Sequence, residues 1–187
     1  MTGNKSARNV VLTGFMGAGK TVVGKRLAAT LGRKFLDLDE TIVKETGVEI
    51  KDIFRTKGEA YFRELEAGAI VKLTKGEYGI GIVAATGGGA VIRPSNRKAL
   101  RAWGAVICLR ASVDEIIKRA GSGDERPLLD IAAQGKKREK GFLPPLIERL
   151  LKERDMAYKD CDFALDTTEM SVKDAVEKIK SFLGNSV

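Results

Sequence analysis

The residues best suited to chemistry stand near the start of the chain, in the stretch GFMGAGKT from Gly14 to Thr21. Its spacing, G-x-x-x-x-G-K-T, is typical of a loop whose backbone N–H groups surround nucleotide phosphates. Glycines permit the tight turn, Lys20 reaches the terminal phosphates, and the Thr21 hydroxyl can hold Mg²⁺. The alternative is a glycine-rich turn with a solvated lysine. A strand predicted before the loop and a helix after it favour nucleoside triphosphate binding.

A pair of carboxylates follows in the stretch FLDLDE. Asp37 and Asp39 stand two residues apart at the end of a predicted strand, so they are expected to share one face. Ligands of open α/β sheets bind at the carboxyl ends of strands. One carboxylate can therefore serve a metal ion while the other receives a substrate hydroxyl proton. The alternative is a pair of helix-capping aspartates before ETIVKE.

Three glycines directly follow an apolar segment in AATGGGA, at positions 87 to 89. Glycines weaken a strand, and three together are costly unless the backbone must approach a ligand closely. Close contact between this backbone and the substrate is the natural interpretation.

Two arginines stand in amphipathic stretches. Arg63 occurs in YFRELE, where a surface ion pair with Glu59 or Glu66 is the alternative to a binding role. Arg154 occurs in KERDMAY at helical spacing from Tyr158, and a surface pair with Glu153 or Asp155 is the corresponding alternative. Neither arginine is decisive by itself.

Two further arginines flank or enter a stretch without apolar periodicity. Arg119 ends a predicted helix, and Arg126 precedes Pro127 within residues 121–145, which contain glycines, a PP pair and the charge run KKREK. This composition predicts a long mobile insertion. A closing loop that brings an arginine to the transferred phosphoryl group recurs in phosphoryl transfer.

Alternating strands and helices must position these side chains. Short apolar runs predict strands at residues 10–13, 34–38, 81–85, 105–109 and 163–165. Helices are predicted from Gly19 or Lys20 to Leu31, at 59–73 and 94–102, and after Ser112 and Ser171. The alternation predicts an α/β fold with a parallel sheet covered on both sides.

Composition limits the class of protein. The 187 residues suit one domain, 1–187, and the two cysteines lack metal-ligand spacing, as expected in a reducing cytosol. The N-terminus has no signal-peptide core, and no apolar run could span a bilayer, so a soluble cytoplasmic protein is expected. Without histidine, acid–base chemistry falls to carboxylates or lysine, and a His-ligated zinc site is excluded. The net charge of +8 would attract any anionic partner.

The ordered motifs G-x-x-x-x-G-K-T, D-x-D, F-R-x-x-E, T-G-G-G, R-P-L-L and R-x-x-x-Y cover the whole chain and together resemble the shikimate kinase family. The resemblance implies a three-layer P-loop fold with a five-stranded parallel sheet, flanking helices and a lid near residues 121–145. The stretch after RPLL looks longer than is usual in the family.

The resemblance also implies an activity and a set of site residues. ATP:shikimate 3-phosphotransferase activity with Mg²⁺ is expected, from a cytoplasmic monomer without nucleic-acid or membrane partners. Lys20, Asp39 and Arg126 would act in catalysis. ATP would be bound by Gly17, Ala18, Gly19, Lys20, Thr21, Arg119 and Arg126. Shikimate would be bound by Asp39, Arg63, Gly87, Gly88, Gly89 and Arg154, and Mg²⁺ by Thr21 and Asp37.

Two alternatives belong to other classes. A kinase for another polyol acid such as gluconate would keep the phosphate loop but would not need the D-x-D, arginine and triple-glycine set together. A nonenzymatic binder or basic nucleic-acid protein would keep the charge, but the sequence shows no aromatic RNA platform or helix-turn-helix.

Overall fold

The computed structural model describes residues 9–120 and 143–184. Five strands pair in parallel in the order β2-β3-β1-β4-β5, which confirms the predicted parallel sheet. Their bounds are Val10–Thr13 for β1, Lys34–Asp37 for β2, Ile82–Ala85 for β3, Ala105–Arg110 for β4 and Phe163–Asp166 for β5.

Seven helices are described on the two faces of this sheet. They are α1 (Lys20–Leu31), α2 (Leu38–Thr46), α3 (Ile50–Thr74), α4 (Pro94–Trp103), α5 (Val113–Ala120), α6 (Leu143–Lys159) and α7 (Val172–Gly184). A 3₁₀ turn at Ala90–Ile92 joins the glycine loop to α4. None of the described helices is long and apolar enough to cross a membrane.

The alternation of side chains along β1 produces the three layers. Val10 and Leu12 lie in a core with residues of α1 and α7, whereas Val11 lies in a second core with residues of α3, α4 and α6. All of β1 is buried, as expected for a central parallel strand whose two faces are both covered. Its carboxyl end, where the phosphate loop starts, is therefore fixed from both sides.

Helix α1 was predicted to its terminal residues because its end signals are local. It begins at Lys20 and ends at Leu31, and Gly32 follows with a φ of 63°, which favours glycine. The strand bounds differ from the predictions by one residue at most, and Leu38 belongs to α2 instead of β2.

The helices around the predicted insertion and after β2 differ more from their predicted bounds. Helix α2 was not predicted, and α3 starts at Ile50, with a kink at Gly58 (φ 82°) just before the predicted start. Helix α6 begins at Leu143, so the predicted end of the insertion at residue 145 is wrong; prolines are tolerated in a first helical turn because its N–H groups have no intrahelical acceptor. Residues 121–142, which hold the rest of the predicted lid, lie outside the described part.

Candidate active site

The phosphate loop joins the central strand β1 to α1. Gly14, Gly17 and Gly19 have φ values of 129°, 77° and 93°, a region that side chains disfavour, so the turn depends on glycine. Lys20 Nζ donates to the carbonyl oxygens of Gly14 and Phe15, both at 2.9 Å. The loop and the start of α1 thus have the geometry that accommodates an anion.

Thr21 and Asp37 meet beside this loop. The Thr21 hydroxyl donates to Asp37 Oδ2 at 2.9 Å, and Asp37 Oδ1 accepts the backbone N–H of Asp39 at 3.1 Å. Asp37 therefore caps α2, as the alternative interpretation held, while its second oxygen faces Thr21. Hydroxyl and carboxylate oxygens are ligands that Mg²⁺ prefers, so this pair fits the ion.

Asp39 lies in the first turn of α2 and not on the strand, which corrects the prediction of a shared strand face. Its Oδ1 is enclosed and has no hydrogen-bond partner among the described residues. Burial, and next the neighbouring carboxylates of Glu66 and Asp37, raise the pKa of Asp39 to about 7. The group is thus tuned to accept a proton near neutral pH.

Glu66 is the buried carboxylate that the sequence interpretation missed. Only 2% of this residue is exposed, and its Oε1 lacks a hydrogen-bond partner among the described residues. Burial raises the pKa of Glu66, although the charges of Arg63 and Arg154 oppose this. Its motif, F-R-x-x-E, was visible in the sequence, but its helical spacing from Arg63 suggested a surface pair.

Arg63 lies on α3 between two carboxylates of the same helix. Its guanidinium pairs with Glu59 at 2.8 Å and with Glu66, so the pairs foreseen in the sequence do form. The pair with Glu59 lies at the surface, as foreseen, since the Glu59 side chain is 45% exposed. The pair with Glu66 does not, because Glu66 is buried and the Arg63 side chain is 18% exposed. Such an arginine is held in one orientation by carboxylates on both sides.

The triple-glycine loop after β3 packs against these side chains. A Cβ on Gly87 would overlap Glu66 Oε1 and lie 2.7 Å from Asp39 Oδ1, and one on Gly89 would lie 2.5 Å from Arg63 Cζ. A Cβ on Gly88 would lie 3.3 Å from Met16 N, in the phosphate loop. A side chain at position 87 or 89 would therefore displace the carboxylates of Asp39 and Glu66 or the guanidinium of Arg63.

Helix α6 brings Arg154 to the same place. Arg154 is 7% exposed, its guanidinium lies 5.6 Å from the centre of the Phe15 ring, and Nη1 has no hydrogen-bond partner among the described residues. The surface ion pairs considered for it are therefore wrong. Tyr158, one turn later, is also buried and donates its hydroxyl to Gly88 O at 2.6 Å.

Arg119 lies on the other side of the phosphate loop. It pairs with Glu115 at 2.8 Å and donates to the Thr167 hydroxyl at 3.0 Å, while that hydroxyl lies 3.2 Å from Ala18 O. A cleft of about 350 Å³ opens here, lined in part by Gly19, Arg119 and Thr167. Arg126 lies outside the described residues.

A phosphate loop at the end of the central strand, with buried acids and arginines beside it, defines the class of P-loop phosphotransferases that act on a small acceptor. The chain belongs to the shikimate kinase family, which it matches over residues 16–184.

Two relatives support the assignment at the level of sequence. The shikimate kinase of Geobacter sulfurreducens is 46% identical over 177 residues, covering 94% of this chain and 91% of the relative. That of Geobacter metallireducens is 42% identical over 178 residues, covering 95% and 93%.

Solved structures support the same family assignment. A shikimate kinase from Acinetobacter baumannii in complex with shikimate superposes with a TM-score of 0.85 and 34% identity, covering 97% of this chain and 95% of that one. A gluconokinase from Sinorhizobium meliloti gives a TM-score of 0.58 at 18% identity, covering 97% and 94%, which shows a shared fold alone.

Proposed function

We propose that this chain transfers the γ-phosphoryl group of ATP to the 3-hydroxyl of shikimate, giving shikimate 3-phosphate and ADP. The observation that carries the proposal is the meeting of Asp39, Arg63 and the triple-glycine loop directly beside the phosphate loop. Shikimate offers a carboxylate for guanidinium groups and adjacent hydroxyls for a carboxylate and backbone N–H groups. The reaction belongs to the chorismate route.

On the shikimate side of the site, charged and neutral protein groups bind different parts of the substrate. Arg63 and Arg154 bind the carboxylate of shikimate, and the glycines at 87 to 89 bind its hydroxyls. Asp39 orients the reacting hydroxyl and takes up its proton, for which its raised pKa is suited. Arg154 is suited to an anion because one of its buried donors is unsatisfied within the described residues.

The nucleotide side uses the phosphate loop. Backbone N–H groups from Gly17 to Thr21 hold the phosphates, Lys20 balances charge on the transferred group, and Arg119 borders the nucleotide. Thr21 and Asp37 hold Mg²⁺, which when bound neutralises phosphate charge. Arg126 is proposed to approach the phosphoryl group from the predicted lid.

Several wider expectations stay predictions. They concern one domain over residues 1–187, a monomer, the cytoplasm as its place of action, and no nucleic-acid or membrane partner.

The proposed function is tested by ADP release across shikimate, gluconate and nucleoside monophosphates. We expect turnover with shikimate, reduced on the order of 100-fold or more in Lys20→Met because a preorganised cation is lost. Lys25→Met is the matched control, since Lys25 is an exposed lysine on the same helix that pairs with Glu40 at 3.7 Å. Preferred turnover of gluconate, or equal rates in wild type and Lys20→Met, would contradict the proposal.

A further inference from the structure

The peptide between Gly88 and Gly89 is held from the side of α6. Tyr158 donates its hydroxyl to Gly88 O at 2.6 Å, across 70 positions of sequence. Tyr158 is 5% exposed, so water does not compete freely for this hydrogen bond. Burial raises the pKa of Tyr158 to about 12, so its hydroxyl remains a donor at all working pH values.

The same peptide carries the N–H group of Gly89. No described peptide bond is cis, and in a trans peptide the carbonyl and the following N–H point in opposite directions. The Gly89 N–H therefore points away from Tyr158. Within residues 9–120 and 143–184, the N–H groups of the three glycines find no acceptor.

The surroundings of the glycine loop indicate that the Gly89 N–H could donate to a ligand. Gly87 adjoins the acids Asp39 and Glu66, and Gly89 adjoins the guanidinium of Arg63. The loop therefore lies along the residues that are proposed to bind shikimate. A buried N–H without an acceptor costs free energy unless a ligand supplies one. A glycine peptide is also free to rotate, because no side chain restricts it.

We propose that Tyr158 is a positioning residue, whose hydroxyl fixes the Gly88–Gly89 peptide so that the Gly89 N–H donates to one oxygen of the acceptor. This rests on the proposed function. Tyr158 itself does not touch substrate. Arg154 lies one turn earlier on the same helix, so α6 supplies both a candidate carboxylate ligand and the group that orients the loop.

The first test replaces the hydroxyl alone. Tyr158→Phe keeps the ring and its packing, and we expect the dissociation constant of shikimate to rise about 3- to 10-fold, the value of one hydrogen bond. Affinity for a nonhydrolysable ATP analogue should not change. Tyr78→Phe is the matched control, because Tyr78 also donates a hydrogen bond, to Glu45 at 2.8 Å, away from the glycines. Thermal unfolding of both variants verifies folding.

The second test identifies the bound oxygen by calorimetry with the three monodeoxy analogues and the neutral carboxamide of shikimate. The weakening caused by Tyr158→Phe should be much smaller for the analogue altered at the group bound by Gly89, and persist for the other three. Equal weakening for all ligands indicates a merely structural role and overturns the proposal, as does no weakening. Failure of wild type to bind shikimate would instead overturn the proposed function.

An independent measurement needs no variant. In glycine-labelled wild-type protein, the Gly89 amide resonance should shift on addition of shikimate in the presence of the ATP analogue. Binding of shikimate without any shift of this amide contradicts the proposal.

Discussion

Asp39 Oδ1 and Glu66 Oε1 converge on Gly87, where a Cβ would lie 2.7 Å from the first oxygen and overlap the second. The two acids come from different helices, α2 and α3, and neither oxygen has a hydrogen-bond partner among the described residues. Burial raises the pKa of both groups. Two desolvated carboxylates side by side are electrostatically unfavourable, and a ligand with hydroxyl donors would stabilise them.

Asp39→Asn should raise the free energy of unfolding at high pH while lowering the turnover of the enzyme. The pKa of Asp39 rises from 3.8 to about 7 on folding, so between these values the native state binds more protons than the unfolded state. The free energy of unfolding must then fall as pH rises through this window and level off above it. Asn has no such slope, so we expect the variant to be more stable than wild type by about 1–3 kcal/mol at pH 8, and by much less at pH 5.

Urea unfolding at pH 5 and pH 8 measures this difference. Asp52→Asn is the control, because Asp52 forms an exposed ion pair with Arg55 at 2.9 Å, and its replacement should change the free energy of unfolding by less than about 1 kcal/mol. Turnover of Asp39→Asn should fall on the order of 100-fold with ATP affinity retained. A variant that is less stable at pH 8 would show that the ionised carboxylate has a partner.

Gly87→Ala should damage the acceptor site specifically. Its Cβ would displace the oxygens of Asp39 and Glu66, so we expect shikimate affinity to fall by roughly 10-fold or more, with affinity for the ATP analogue unchanged. Gly68→Ala is the matched control: Gly68 lies on α3 with open space around its Cβ position, and alanine there should add about 0.5–1 kcal/mol of stability. Equal kinetics in the two variants would contradict close contact of the loop with these acids.

Arg154 should contribute more than Arg63 to recognition of the shikimate carboxylate. Arg63 is already paired with Glu59 and Glu66, whereas Arg154 Nη1 is buried and unsatisfied among the described residues. Replacing shikimate by its neutral carboxamide should weaken binding to wild type by roughly 2–4 kcal/mol, and by far less to Arg154→Ala.

Calorimetric titration of wild type and each variant with shikimate and with its carboxamide gives the coupling free energy between each arginine and the carboxylate. Arg93→Ala is the control, because Arg93 pairs with Glu64 at the surface and should leave the preference for the acid intact. Undiminished preference in both Arg63→Ala and Arg154→Ala would rule out the carboxylate clamp.

Thr21→Val should raise the Mg²⁺ concentration needed for half-maximal turnover. The substitution keeps the shape of the side chain but removes the hydroxyl that lies 2.9 Å from Asp37 Oδ2. We expect an increase of about 10-fold or more, because one oxygen ligand is lost. Thr30→Val is the control, since its hydroxyl donates to Arg26 O on the exposed side of α1. An unchanged Mg²⁺ dependence would place the ion elsewhere.

The sequence alone determined the elements whose signals are local. The phosphate loop, α1 with its glycine end at Gly32, and the strands were predicted closely, because turn glycines and apolar runs act over a few residues. The family followed from the order of the motifs along the chain, and the comparisons confirm it.

Only the tertiary structure decided which polar side chains are buried together. Helical spacing made Arg63, Glu66 and Arg154 look like surface residues, since spacing shows which residues share a helix face but not what covers that face. Burial of Glu66 depends on the glycine loop after β3, and burial of Arg154 on the packing of α6 over Phe15. The hydrogen bond from Tyr158 to Gly88 likewise joins residues 70 positions apart, and it depends on the packing of α6 against the 3₁₀ turn that follows the glycine loop.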